Sequence, residues 1–258
     1  MGKKTDGNSM KQTLRRYGLL GMMAFASLAV QAQDKDWYGA LRLGFQPYTI
    51  DLEGTVAGRD FDATADLMDV LDETESMWGF EAEFGKGRWF LNVAAFYQEV
   101  VSEKGNMTLG VETTGSEFAV NPMLGYNVYR GDRLSLDVMG GIYYVRLDVE
   151  VDIYAPAPLG NLSRDTDLDF LDPMVGVRAY YAITEKFGVS AAGQVGGFGV
   201  GSEIHVVLGA NLVYNFTDWF AVTGGYRWWH WEYEDDDATL SDLEQTLYGP
   251  IIGIQFTY

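Results

Sequence analysis

Two histidines stand where an acid–base catalyst would need them. His205 follows Ser202 and Glu203, and His230 lies two residues before Glu232, with Ser241 a short way on. An imidazole within reach of a hydroxyl and a carboxylate is the raw material of acyl transfer: the ring takes the hydroxyl proton and the carboxylate orients the ring. The sequence offers no more than that raw material, since neither an Asp-His dipeptide nor a His-x-Ser-Asn run occurs. A second chemistry-bearing group is acidic. Residues 51–75 hold nine Asp or Glu and residues 234–244 hold six. Carboxylate oxygens are hard ligands that suit divalent cations such as Ca²⁺ or Mg²⁺. Neither segment has the D-x-[DN]-x-[DN]-G spacing of a preformed calcium loop, so the metal chemistry stays open and a solvated acidic face is the simpler reading. A third group, Arg42, Glu81, Glu83, Asp137, Arg178 and Arg227, consists of isolated charges inside otherwise apolar segments.

Those isolated charges follow a period of 2. In residues 76–86, Trp78, Phe80, Ala82 and Phe84 alternate with Gly79, Glu81, Glu83 and Gly85. In residues 37–50, Gly39, Leu41, Leu43 and Phe45 alternate with Ala40, Arg42, Gly44 and Gln46; residues 88–101, 168–183 and 203–215 behave alike. Side chains on a strand point to opposite faces in turn, so one face of each segment is apolar and the other carries the polar groups. Ten such segments can be counted, over 37–50, 76–86, 88–101, 115–129, 133–150, 168–183, 186–196, 203–215, 219–233 and 245–258. Every second connection is short, as in Lys86-Gly-Arg88 and Arg130-Gly-Asp132, and has hairpin-turn composition. The others, 51–75, 102–114, 151–167 and 234–244, are long and polar, with a compact Gly197-Phe-Gly-Val-Gly201 as the exception. Short turns on one side and long loops on the other is the layout of a bacterial transmembrane β-barrel.

Both termini agree. The sequence closes on Ile252, Ile254, Phe256 and Tyr258 on one face, with an aromatic last. Near the start, a basic stretch over 10–16, an apolar run over 18–30 and a small-residue site at Val30-Gln31-Ala32 predict a signal peptide over 1–32, with Met1 or Met10 as the start. Residues 33–258 then form a single barrel domain. No stretch after Ala32 approaches the roughly 18 apolar residues of a membrane-spanning helix. Trp37, Trp89, Phe90, Tyr126, Tyr129, Tyr181, Phe187, Tyr214, Trp219, Phe220 and Tyr258 fall near the turns, and Tyr48, Tyr97, Tyr144, Trp228 and Tyr233 near the outer rim, as two aromatic girdles would. Removing residues 1–32 takes away five Lys/Arg and one Asp, so the exported chain stands at −23 against −19 for the whole. That excludes nucleic acid as a partner, because phosphate binding needs basic clusters. With no cysteine, disulfides and thiolate metal sites are excluded as well.

Three stretches carry a resemblance: Asp172-Pro-Met-Val-Gly-Val-Arg-Ala-Tyr-Tyr-Ala-Ile-Thr-Glu-Lys186, Gly196-Gly-Phe-Gly-Val-Gly-Ser202 and Gly224-Gly-Tyr-Arg-Trp228. The chain resembles small Gram-negative outer-membrane β-barrel proteins broadly related to outer membrane protein A and the opacity proteins. The resemblance covers most of residues 33–258. It implies an outer-membrane location and no catalytic machinery, and its best-known members have eight strands rather than ten. The terminal residues Ile252, Ile254, Phe256 and Tyr258 resemble the signal by which such chains engage the barrel assembly machinery.

The expectation is therefore an all-β, closed, antiparallel transmembrane barrel of ten strands, with short periplasmic turns and long acidic outer loops. Its function is expected to be non-enzymatic, structural or surface-interacting, with no cofactor and a lumen largely filled by the Arg42, Glu81, Glu83, Asp137, Arg178 and Arg227 network. Expected partners are outer-membrane lipids including lipopolysaccharide, the assembly machinery, and divalent cations at the acidic loops. The alternative is a narrow channel for small cationic solutes; a protease or lipid-modifying enzyme is more distant. Residues 64–72 have helix-like apolar spacing and predict a short helix within the first long loop.

Overall fold

The computed structural model describes residues 37–56, 59–105, 110–154, 162–234 and 240–258. The expected signal peptide falls outside them. Alternating segments become twelve strands and one helix: β1 (Trp37–Phe45), β2 (Thr49–Val56), β3 (Arg59–Ala65), α1 (Leu67–Glu73), β4 (Thr74–Lys86), β5 (Trp89–Gly105), β6 (Gly110–Arg130), β7 (Leu134–Tyr154), β8 (Leu162–Ala182), β9 (Phe187–Gly197), β10 (Ile204–Asn215), β11 (Phe220–Tyr233) and β12 (Leu240–Thr257). Each of β4 to β11 pairs antiparallel with the next, β1 pairs with β4, and β1 also pairs with β12. Ten strands therefore close on themselves, which corrects the eight that the resemblance implied. The seam joins the two ends of the wall, Ala40 to Phe45 facing Thr257 to Ile252, and Tyr258 and Gly39 exchange backbone hydrogen bonds of 2.9 and 3.2 Å.

The faces follow the sequence parity. Phe84, Leu91, Val177, Leu212 and Ile252 stand exposed on the outside, as a lipid-facing band requires. The girdles hold with three corrections. Phe90, Tyr48 and Tyr233 turn inward, where Phe90 and Tyr48 are buried and Tyr233 stacks on Phe170. Phe90 and Tyr233 sit on the inward parity of β5 and β11, Tyr48 lies between β1 and β2, and the Phe90 ring covers Gly125, where a Cβ would collide with it. The outer end of the lipid band is marked where charge returns to the outward face, at Glu99 beyond Tyr97 and at Arg146 and Asp148 beyond Tyr144. Arg146 forks onto Asp148 at 2.8 to 3.2 Å, and this hydrogen bonding holds the Asp148 carboxyl below the usual carboxylate range.

Two expectations about the outer side are corrected. The segment 37–50 is not one strand, because Pro47, which lacks an N–H, breaks it after Phe45. The chain resumes as β2 along the same edge of β12, Thr49 to Val56 facing Tyr248 to Leu240, and β3 pairs onto β2 as a hairpin. The long loops are largely strand as well. Residues 59–65 form β3, and β5 to β8 run on well past the lipid band. Above the bilayer both faces of a strand are wet or pack on polar neighbours, so the apolar alternation that marks a strand in lipid fades there. The loop helix predicted over 64–72 is present as α1, starting later because residues 64 and 65 end β3. It begins after Asp66, has Asp69 in its first turn, and ends where the Thr74 N–H and hydroxyl both reach the Val70 carbonyl.

Candidate functional site

Inward-facing side chains fill the barrel in layers, and paired β7 and β8 show the order from the periplasmic turn outward. Facing pairs run Asp137 with Arg178, Met139 with Gly176, Gly141 with Met174, Tyr143 with Asp172, Val145 with Phe170, and Leu147 with Leu168. The lumen is thus charged at its inner end, thioether above that, polar again at one level, and apolar at the top. Charge stands at the inner end, while other side chains fill the layers above it.

The inner layer brings together five of the six predicted charges. Arg42 Nη1 lies 2.5 Å from Glu81 Oε1 and its Nε donates to Gln255 at 2.9 Å. Arg178 reaches Glu83 at 2.5 Å and Asp137 at 2.9 Å. Because β4 and β8 are four strands apart in a ten-strand ring, the Arg178–Glu83 pair crosses the lumen. Asn92 donates to Glu81 at 2.6 Å, and Asn127 donates to Asp137 at 2.7 Å. Buried charges pay a desolvation penalty of several kcal/mol per ion unless paired and hydrogen-bonded, and this layer meets that condition. Arg227 lines the lumen from β11 without joining an ion pair among the described residues. A cavity of about 320 Å³ between Tyr38, Asn127, Arg130 and Arg178 lies at this inner end.

The polar level above it gathers a serine, a histidine and an aspartate. Asp172 Oδ2 accepts from Ser202 Oγ at 2.7 Å and lies 2.6 Å from His205 Nδ1, and Asp172 Oδ1 accepts from the Ser202 N–H at 2.7 Å. His205 Nε2 lies 2.6 Å from Trp229 Nε1. An indole N–H can only donate, so Nε2 is the acceptor and the imidazole proton sits on Nδ1, facing Asp172. A nucleophilic triad needs the serine on the histidine, with the aspartate behind it. Here serine and histidine both converge on the aspartate, and the nitrogen that would take a serine proton is occupied by tryptophan. Ser202, His205 and Asp172 are 1%, 0% and 0% exposed. What the cluster does is anchor the compact turn 197–203 to β8. That turn holds Gly197, Phe198 and Gly199 at φ of 85°, 55° and 69°, a left-handed run that costs about 1 kcal/mol or more at Phe198 and needs fixing from outside.

The top layer is a stopper. Tyr48, Val70, Val145, Phe170, Trp229, Trp231, Leu243 and Leu247 pack as one buried cluster. Phe170 meets the Trp231 ring edge-on at 5.1 Å, and Phe96 meets Trp229 at 6.3 Å. Val70 brings α1 into the mouth. One ionisable group is set among them, Glu117, whose carboxylate accepts from Gln98 at 2.8 Å and from Gln245 at 3.2 Å.

Of the predicted site residues, the inner charge network assembles except for Arg227, and Ile252, Ile254, Phe256 and Tyr258 lie on the lipid face of β12, where Phe256 stacks on Trp219 at 6.2 Å. His205 and His230 do not meet at one site; His230 faces outward. The reading missed Asp172, Glu117, Trp229 and the stopper. Parity alone would have placed Asp172 inside, since it lies an even number of residues from Arg178 on the same strand; the strand of Glu117 held no recognised lumen group to set its parity.

The comparisons agree on the fold. The outer membrane protease OmpT of Escherichia coli is similar in structure with a TM-score of 0.50, at 10% identity over 88% of this chain and 98% of that one. Looser likenesses, at TM-scores of 0.44 and 0.41, are to the translocator domain of the autotransporter NalP of Neisseria meningitidis (9% identity, 96% of this chain and 97% of that one) and to the attachment invasion locus protein Ail of Yersinia pestis (8% identity, 86% and 99%). Comparison with curated proteins gives no significant match. The family model for the outer membrane protein beta-barrel domain matches residues 18–194, and with a ten-strand wall, an apolar outer band and antiparallel closure of β1 on β12 already in place, the chain belongs to the outer membrane β-barrel family.

Proposed function

We propose that this protein is a non-enzymatic outer-membrane barrel with a closed lumen, acting structurally or through its raised outer wall as a surface-interaction module. The observation that carries the proposal is the stoppered mouth: Phe170, Trp229, Trp231, Tyr48 and Val70 fill the outer half of a barrel whose inner half is crossed by Arg178 and Glu83. A ten-strand barrel is only slightly wider than the eight-strand size that side chains just fill, so these layers leave little room for a solute path. In the same reading the girdles meet outer-membrane lipids including lipopolysaccharide, Ile252 to Tyr258 engage the assembly machinery, and acidic side chains of the outer wall attract divalent cations that bridge to lipopolysaccharide phosphates.

Single-channel recording on refolded protein in a planar bilayer tests the closed lumen. Silence from protein shown by circular dichroism to be folded is expected. Steady cation-selective steps, reduced by Glu81→Gln and Glu83→Gln, would instead establish the narrow channel. The enzyme alternative has its own check. Peptides and lipopolysaccharide incubated with the folded protein should give no turnover, and turnover abolished by His205→Ala or His230→Ala would overturn the non-enzymatic reading.

A further inference from the structure

Above the lipid band, the outward face of β11, β12, β2 and β3 carries an unusual rung. Glu232 faces Glu244, Glu244 faces Glu53, and Glu53 faces Asp62, four carboxylates abreast on four neighbouring strands. The next rung towards the membrane reads His230, Thr246, Asp51 and Thr64. Like charges directly opposed on one sheet face destabilise the pairing, and neither rung contains a lysine or arginine to relieve them.

The histidine makes this more than an acidic surface. His230 stacks on Trp228 with 15° between the rings, and its Nδ1 lies 2.9 Å from Thr246 Oγ1. Its Nε2 lies 3.1 Å from Glu232 Oε1, and one ligand atom from each of His230, Glu232 and Glu244 fits within a mutual separation of 4.8 Å. We propose that His230, Glu232 and Glu244 form a binding site for a divalent transition-metal ion of the zinc type on the membrane-proximal outer wall. Donors about 2.0–2.1 Å from a tetrahedral ion lie roughly 3.3 Å from one another, which is close to the Nε2 to Glu232 separation already present. Without the ion, Nε2 donates to Glu232 and Nδ1 accepts from the Thr246 hydroxyl; an ion taking the place of the Nε2 proton would move the ring proton to Nδ1, with Thr246 Oγ1 as its acceptor, the orienting bond that metal-binding histidines use. Glu244 Oε1 lies 3.8 Å from Nδ1, on the other edge of the ring, and its half-exposed side chain has to swing toward Nε2 to serve as the third donor; Asp51 and Glu53 add negative potential beside it. A nitrogen donor selects zinc, nickel or copper over calcium and magnesium, which prefer an all-oxygen shell. The site goes beyond the closed-lumen reading and does not depend on it.

Calorimetric titration of Zn²⁺ into chelator-treated, refolded protein in detergent micelles tests it. Saturable one-site binding is expected, weakened about tenfold or more by His230→Ala and by Glu232→Gln, with Ca²⁺ at least about tenfold weaker. Both positions face outward above the lipid band, so heat-modifiable gel migration should report intact barrels. Visible absorption of Co²⁺ bound to the unsubstituted protein gives a second readout, since a low-symmetry site with a nitrogen donor yields intense d–d bands. The proposal is overturned by the absence of saturable Zn²⁺ heat, by unchanged affinity in His230→Ala, by Ca²⁺ binding as tightly as Zn²⁺, or by a Co²⁺ spectrum like that of the free aquo ion.

Discussion

At the scale of single residues, Asp172 holds the most consequence per atom. Its carboxylate takes the Ser202 N–H, the Ser202 hydroxyl and the His205 Nδ1–H, all buried. Asp172→Ala leaves three donors without that acceptor, and an unsatisfied buried donor costs about 1–3 kcal/mol. A loss of about 3 kcal/mol or more is expected in urea unfolding of the barrel in phospholipid vesicles, against about 1 kcal/mol for Ser202→Ala. Equal losses for the two variants would show that the aspartate is not the hub. The inner charges were legible in the sequence because each stands alone among apolar neighbours on a parity set by Leu41, Phe80 or Val177. The Asp172 cluster was not, because its three members come from two strands and a turn, and only the register of β8 against that turn brings them together. Reading Ser202 and His205 as chemistry was correct in residue type and wrong in wiring, since sequence cannot show that Trp229 occupies Nε2.

Among the elements, α1 is the piece whose role the sequence could announce but not place. Its apolar spacing identified a helix, yet nothing in residues 67–73 says that Val70 points into the barrel mouth, where it is 1% exposed. Val70→Asp would bury a carboxylate in an apolar cluster, a change worth several kcal/mol that the helix avoids by leaving the mouth. The expected outcome is protease cleavage within 67–73 of the folded barrel under conditions in which the parent is resistant, with the lipid-embedded strands intact. Resistance equal to the parent would mean that α1 is held by something other than Val70. Strand ends were misread for a related reason. Periodicity is imposed by lipid on one side, and β6, β7 and β8 continue as strand after the lipid ends, with sequences such as Ser163-Arg-Asp-Thr-Asp167 that any exposed loop would tolerate.

For the whole molecule, the wall is uneven. β6, β7 and β8 have 21 residues each while β9 has 11, a difference of about 33 Å along the strand at roughly 3.3 Å per residue. The low side ends in the turn fixed by Asp172, while the acidic rungs lie elsewhere on the wall, on β11, β12 and the β2–β3 hairpin. The electrical silence expected of the lumen and the metal affinity expected of the wall are therefore properties of opposite surfaces of the same strands. Alternation made the ring and its closure legible from end to end. The contents of its upper half were hidden, because aromatic residues on an inward parity look like rim residues until a Phe170 is seen against a Trp231.

The break at Pro47 reaches further than a kink in one strand. Below it the ring is already complete, sealed by β1 on β12. Above it, β2, β3 and α1 are an annex leaning on the outer reach of β12. Such an annex can be exchanged, lengthened or rewritten by evolution without disturbing the foundation that inserts in lipid, except at the few side chains, Tyr48, Ile50, Leu52 and Val70, that reach down to cork the interior. Ornament and cork are the same stretch of chain, so a lineage that redraws its outer face at this hairpin must either keep those four apolar or unseal the barrel.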